Sequence, residues 1–200
     1  MARTQAADYG QRREAIVEAA AGLYAEHGFL GASLADLAAA CNTSKSLIYH
    51  YYSSKEEILF DVMSSHVEQL NEIVDRAAQA GDAKAQFRAL THEFMQLYAG
   101  AISRQKVLLN ELDQLPPERR AEIVARQRRL IEFVQGLLEQ MQPRLAGRPE
   151  LSRPAVMLFF GMINWTHTWY RPDGPVSVDE VADLALDMVA GGLPALAERA

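Results

Sequence analysis

The chain has one cysteine, Cys41, in 200 residues, which excludes a disulfide framework and a cysteine-based zinc cluster. Proline is missing from the first 115 residues, because all eight prolines lie at or beyond Pro116; nothing in that stretch forbids helix. Long apolar runs are missing too. The longest, 155–163, stops at Asn164, well short of the ~20 residues that a membrane helix requires. The opening stretch MARTQAADYGQRREA has no apolar segment of the kind that begins a secretory signal. There is no glycine-rich phosphate loop, metal-ligand box or nucleophile motif. Strand-like alternation is nowhere sustained, and no repeat on the scale of about 20–50 residues is present. These absences predict an all-α, soluble, cytoplasmic protein with no catalytic residues, no metal, no cofactor and no membrane partner. An all-helical enzyme is the remote alternative, in which Glu111 with Asp113, or His167 beside Trp169, would serve as acid–base pairs.

What is present suffices for a core: 49% of residues are hydrophobic and 23% charged, and a chain of this length buries roughly 70% of its unfolded surface. The formal net charge of −6, taken whole, disfavours nucleic acid. It is unevenly spread. Residues 1–55 carry five basic residues (Arg3, Arg12, Arg13, Lys45, Lys55) against five acidic ones, while residues 56–200 carry 15 against 21. Any DNA contact therefore belongs to the first 55 residues.

Helical patterning predicts about nine helices. The first runs from Arg12 to His27, with Ile16, Ala19, Ala20, Leu23 and Tyr24 on one stripe and Gly28 as its stop. Ser33 followed by Asp36 is a capping box that opens a short second helix ending near Cys41. Asn42 suits a left-handed turn, Ser44 caps a third helix to Tyr52, and Ser53 or Ser54 caps a fourth that ends before Gly81. Further helices are expected over 83–102, 106–112, 117–145, 153–170 and 177–193.

Helices two and three, joined by a tight turn, have the proportions of a DNA-reading helix-turn-helix. With Ile48 at the centre of the buried face of the third helix, Ser44, Tyr51 and Tyr52 fall within about 60° of it. Ser46 and His50 point away, with Lys45, Leu47 and Tyr49 on the flanks. That free face offers cationic, hydroxyl, phenol and imidazole groups for phosphates and base edges, and Leu47 an apolar contact for a thymine methyl.

The run SLADLAAACNTSKSLIYHYYSSKEEIL, residues 33–59, closely resembles the TetR family of bacterial transcription regulators. The family's Ala-Gly-Val-Ser turn is matched by Cys41 to Ser44, its Leu-Tyr-His-Tyr-Phe run by Ile48 to Tyr52, and its Ser-Lys pair by Ser54 and Lys55. The resemblance implies DNA contacts from Ser33, Ser44, Lys45, Ser46, Leu47, Tyr49, His50 and Lys55. It also implies an N-terminal three-helix domain over 10–56 and a C-terminal effector-binding and dimerisation domain over 57–200. Asn42 stands where the family has glycine, Thr43 where it often has valine, and Leu47 where Ser or Thr often meets a phosphate.

Family members also form homodimers through their last two long helices, here around 153–170 and 177–193, and such a dimer suits a palindromic double-stranded operator. The first of these segments is apolar on all sides, which predicts burial on more than one face. The stretch FFGMINWTHTWYRPDGP, residues 159–175, looks like a segment of TetR-type regulators that respond to acyl-coenzyme A thioesters. Asn164, His167, Trp169 and Arg171 are accordingly expected at an effector site, together with Phe94 and Tyr98 along an acyl tunnel. Residues 118–129 carry five arginines against two glutamates, and Arg126, Arg129 and Phe133 share a face fit for phosphate and adenine. The function expected is a repressor released from its operator by an acyl-coenzyme A thioester. An aromatic, sterol-like or other lipophilic effector is the alternative. His27, His66 and His92 read as structural or surface residues and Cys41 as a small buried apolar one.

Overall fold

The computed structural model describes the backbone of residues 2–198 and the side chains of residues 9–195. Nine α-helices and no strand occur among the described residues: α1 (Ala2–Gly31), α2 (Leu34–Ala40), α3 (Lys45–Tyr51), α4 (Lys55–Ala77), α5 (Ala83–Gly100), α6 (Ile102–Asn110), α7 (Pro117–Met141), α8 (Pro149–Asn164) and α9 (Val178–Glu198). Short 3-10 turns occupy Leu112–Gln114, Pro143–Leu145 and Trp165–Thr168. No described helix is long and apolar enough to cross a membrane.

Gly28 interrupts α1 with φ 73 and ψ 159, a backbone region open essentially to glycine alone, so the expected stop is where the chain turns. Upstream the helix reaches back to Ala2 rather than beginning at Arg12, passing through Gly10, since no proline lies in that stretch. Two expected boundaries differ in the structure, both beside prolines. α8 begins at Pro149 and runs through Pro154, and α9 continues through Pro194. Pro149 stands in the first turn, where the missing N–H has no intrahelical partner to lose, whereas Pro154 and Pro194 lie inside their helices and each forgo one backbone bond. The helix expected over 83–102 instead breaks at Ala101 (φ −130, ψ 42), and α6 starts there rather than at Lys106.

The chain forms two compact units, one of residues 1–67 with 103–124, the other of residues 68–102 with 125–200. This division differs from the expected 10–56 and 57–200. The first half of α4, most of α6 and the start of α7 cluster with the N-terminal helices through contacts distant in sequence. In the first unit Ile16, Val17, Ala20 and Tyr24 of α1 are buried, as are Leu37, Ile48, Ile58, Val62, Val107 and Ile123. In the second, Phe87 lies 4.9 Å from Phe159, Phe159 5.3 Å from Phe160, and Phe160 6.3 Å from Phe94 (ring centroids), within the range for favourable aromatic pairs. On the same unit's surface His92 stands between two carboxylates of α9, 3.1 Å from each of Asp179 and Asp183. Gln96 donates to Asp179 at 2.9 Å, and these two bonds hold the Asp179 carboxyl below the usual range.

His66 of α4 is completely buried in the first unit, with Nε2 2.7 Å from the Gln105 side-chain oxygen. Burial pushes its pKa down to about 4, against the upward pull of the Gln105 bond. The unfolded chain thus takes up a proton near pH 6.5 that the folded chain refuses until about pH 4. Stability from this group is complete above pH 6.5 and falls as the pH drops toward 4, by roughly 3 kcal/mol over the window. Urea melts across that range should show the loss in the parent chain, and His66→Gln should flatten it; an unchanged slope in the variant would assign the loss to carboxylates instead.

Candidate nucleic-acid interface

Three local devices set the helix-turn-helix. The Ser33 hydroxyl accepts from the N–H groups of Ala35 and Asp36, both at 3.2 Å, and the Asp36 carboxylate accepts in return from Ser33 N at 2.9 Å and Oγ at 2.6 Å. These bonds hold the Asp36 carboxyl below its ordinary range and form the capping box that the spacing predicts. Asn42 adopts φ 49, the left-handed turn that asparagine accepts readily. Cys41, expected buried, is half-buried and closes α2 through its N–H. Ser44 then caps α3, its Oγ accepting from Leu47 N at 3.2 Å.

One side of α3 faces inward. Ile48 and Tyr52 are buried, and the Tyr52 hydroxyl donates to Asp61 Oδ2 at 2.5 Å while accepting from Arg13 Nε at 3.2 Å. Arg13 Nε also lies 3.0 Å from Asp61. Burial and the Asp61 bond push the Tyr52 phenol upward, so it stays a donor. The C-terminal end of α3 is thereby fixed to both α1 and α4. The opposite side carries Lys45, Ser46, Tyr49 and His50, all exposed, Tyr49 at 56%. Leu47 is half-buried on the flank. The His50 ring meets Tyr51 edge-on at 5.3 Å, and Tyr51 lies 4.6 Å from Tyr9 of α1. Sequence reasoning missed Tyr9, whose one signal is an aromatic among polar residues a turn before Arg13.

Two expected DNA contacts are already engaged. The Lys55 ammonium donates to the Phe29 carbonyl and sits over the Phe29 ring at 4.1 Å and the Tyr24 ring at 5.9 Å. Burial pulls its pKa down, against Glu56 and Glu111. A phosphate contact from Lys55 requires that arrangement to open. The Ser33 hydrogen is held by Asp36, so Ser33 acts first as a cap.

The residues expected at an effector site are scattered through the second unit. Phe94 and Tyr98 are core residues of α5, their rings 6.0 Å apart. Arg126 lies 3.4 Å from Glu68, and Arg129 donates to Asp75. Both bridges reach α4, while Phe133 is half-buried on the same helix. Asn164 ends α8, and its carbonyl lies 2.6 Å from His167 Nδ1 in the turn that follows. The expected buried helix over that stretch is instead a 3-10 turn with Trp165, Trp169 and Arg171 exposed. Three clefts of the unit, of about 510, 310 and 320 Å³, touch none of the nine residues. Among the described residues no grouping of His, Cys, Asp and Glu could hold a metal ion.

Comparison with known proteins places two family models on the chain. Residues 16–62 match the tetR family of bacterial regulatory proteins, and residues 80–193 match the tetracyclin repressor-like C-terminal domain. The chain belongs to the TetR family. The transcriptional repressor KstR2 of Mycobacterium tuberculosis is 26% identical over 94% of the chain and 96% of its own length. A TetR-family regulator from Bordetella parapertussis is 39% identical, with a TM-score of 0.86 over 88% of this chain and 93% of that one. AibR, solved with isovaleryl coenzyme A and operator DNA, is 29% identical with a TM-score of 0.76, over 88% of this chain and 97% of its own.

In this TetR-family chain the two lysines of the interface should behave differently. Lys45→Ala should reduce the slope of log affinity against log salt on duplex DNA by about 0.9 and leave stability unchanged. Lys55→Ala should keep the slope and lower stability by roughly 1–2 kcal/mol. Paired salt titrations and urea melts check both; a shallower slope for Lys55→Ala would mean that its ammonium leaves Phe29 for DNA.

Proposed function

We propose that the chain is a homodimeric transcriptional repressor that reads a palindromic operator with α3 and leaves it when an acyl-coenzyme A thioester binds the second unit. The observation that carries this reading is the capped α3 with Lys45, Ser46, Tyr49 and His50 outward and Ile48 and Tyr52 inward. Cation, hydroxyl, phenol and imidazole on one groove-sized face serve phosphates and base edges together. Ser44, at the start of α3, and Ser33, at the start of α2, place helix N-termini for further phosphate contacts. The name of KstR2 supports repression, and the ligand held by AibR supports a thioester. In the second unit, Arg126 and Arg129 supply guanidinium groups whose carboxylate partners a phosphate could replace.

The dimer is supported by what α8 and α9 leave uncovered. Met157 and Leu158 of α8 and Leu184 and Met188 of α9 are all more than half exposed, Leu158 at 70%. Leu158 and Met188 line one apolar cleft with Leu138, Ala155 and Val189. Large apolar side chains gathered on one face call for a cover, and a second copy about a two-fold axis supplies one that matches palindromic half-sites. Leu158→Glu should therefore yield monomers by sedimentation and weaken operator binding; a variant that remains dimeric would place the interface elsewhere.

A steroid-type effector is the second reading, favoured by a solved KstR2 described as a ketosteroid transcriptional regulator, which shares the fold. A repressor is released only by a ligand that prefers the conformation unable to bind DNA. Thermal unfolding with free coenzyme A, short, long and aromatic acyl thioesters, the matching free acids and a sterol acid separates the possibilities. A thioester near 100 times its Kd should raise Tm by about 5–10 °C, with free acid and free coenzyme A inert. No shift with any thioester and a shift with the sterol acid would replace the first effector class by the second.

A further inference from the structure

Arg104 combines features that neither DNA contact nor effector binding requires. It lies on α6 in the first compact unit and is 5% exposed. Its guanidinium is shared by three partners: Nη2 donates to the Glu14 carboxylate, Nε reaches Glu18 at 3.0 Å, and Nη1 reaches the Ser65 hydroxyl at 3.4 Å. Glu14 and Glu18 are one turn apart on α1 and themselves exposed, and Ser65 is on α4. The cation is thus buried and its anions are not. Burial alone would lower the Arg104 pKa, and the two glutamates reverse the effect. The next residue, Gln105, is buried as well and holds His66 of α4. Two consecutive polar residues therefore fasten one end of α6 to α1 and to α4.

Such bonds fix geometry more sharply than apolar contact does. A planar fork sharing its donors among three groups accepts one arrangement, and a buried guanidinium that loses a partner retains its desolvation cost. Sliding α1 by a single residue, about 1.5 Å, would break the set. α1 carries the constraint onward, because Arg13, adjacent to Glu14, bonds Tyr52 at the end of α3 and Asp61 of α4. Two sets of polar bonds, joined through the α1 backbone between Glu14 and Arg13, thus lead from α6 to the helix whose outer face bears Lys45, Ser46, Tyr49 and His50.

We propose that Arg104 is a positioning residue for sequence reading: without touching DNA it sets the placement of α1, and through Arg13 and Tyr52 that of α3, so that discrimination between DNA sequences depends on it. The inference rests on the DNA-reading role of α3. Sequence readout needs side chains placed against base edges, whereas attraction to phosphates tolerates displacement. Loss of Arg104 should therefore reduce affinity for the right sequence and spare affinity for DNA at large.

The test begins with the wild-type protein enriching a duplex from a randomised pool, followed by affinities for that duplex and a scrambled one of equal composition. Arg104→Met should weaken the enriched duplex about tenfold and change the scrambled one by less than about twofold. Glu14→Gln with Glu18→Gln, whose amide oxygens can still accept from the guanidinium, should lower the ratio of the two affinities in the same direction. Adding Arg104→Met to that pair should then have little further effect. Arg104→Lys should not restore the ratio, since one ammonium cannot span the three partners. A purely structural role would lower Tm and leave the ratio unchanged, and that result, in Arg104→Met or in the glutamine pair should the first fail to fold, overturns the inference alone. A wild-type protein that enriches no sequence overturns DNA reading itself and this inference with it.

Discussion

The first unit depends on one buried hydroxyl. Tyr52 ends α3, and its oxygen lies between a cation on α1 and an anion on α4. A buried phenol must be satisfied or it costs the fold its desolvation energy, and here both of its roles are filled, donor to Asp61 and acceptor from Arg13. Three helices are brought to one point by a group that tolerates little displacement. α3 has only seven residues and could not hold a fixed direction by its own hydrogen bonds. Its orientation is borrowed from α1 and α4, both much longer.

What could be read from the sequence follows from how local the cause is. Ser33 with Asp36, Asn42 and Ser44 act within a few residues of themselves, and each sits where its spacing places it. The inner and outer faces of α3 were legible for the same reason: a seven-residue wheel has one solution once Ile48 is inside. The end of α1 at Gly28 was legible because only glycine accepts that backbone.

What was not legible has the opposite property. Lys55 reads as a lysine beside DNA, but its ammonium finds the carbonyl of Phe29, 26 residues earlier. α6 reads as part of the C-terminal domain, yet Arg104 meets carboxylates about 90 residues away. The break at Ala101 carries no proline. The ion pairs of Arg126 and Arg129 were not legible, because their carboxylate partners, Glu68 and Asp75, are on another helix. Trp165 and Trp169 lie in a segment that reads as a buried helix because it is apolar on all sides, whereas the helix stops at Asn164 and leaves them exposed. For Lys55, Arg104 and the α7 arginines, a charged side chain met a partner that no local pattern encodes.

The same commitments bear on how an acidic protein can approach DNA. The first unit carries nine Lys and Arg against twelve Asp and Glu, so its net charge gives no attraction. Attraction must come from where the charges are. Between Asp36 and Glu56 there is no acidic residue, while Lys45 and Lys55 fall inside that interval. Around it, several carboxylates are engaged by donors of the protein itself: Asp36 in the α2 cap, Asp61 with Tyr52 and Arg13, Glu57 with Ser53, and Glu14 and Glu18 with Arg104. A carboxylate that accepts hydrogen bonds from a cation or from a helix N-terminus projects a weaker field than a solvated one. At physiological salt only charges within roughly 8 Å matter strongly to an approaching phosphate. Over that distance the outer face of α3 is cationic and polar, whatever the sum over the chain.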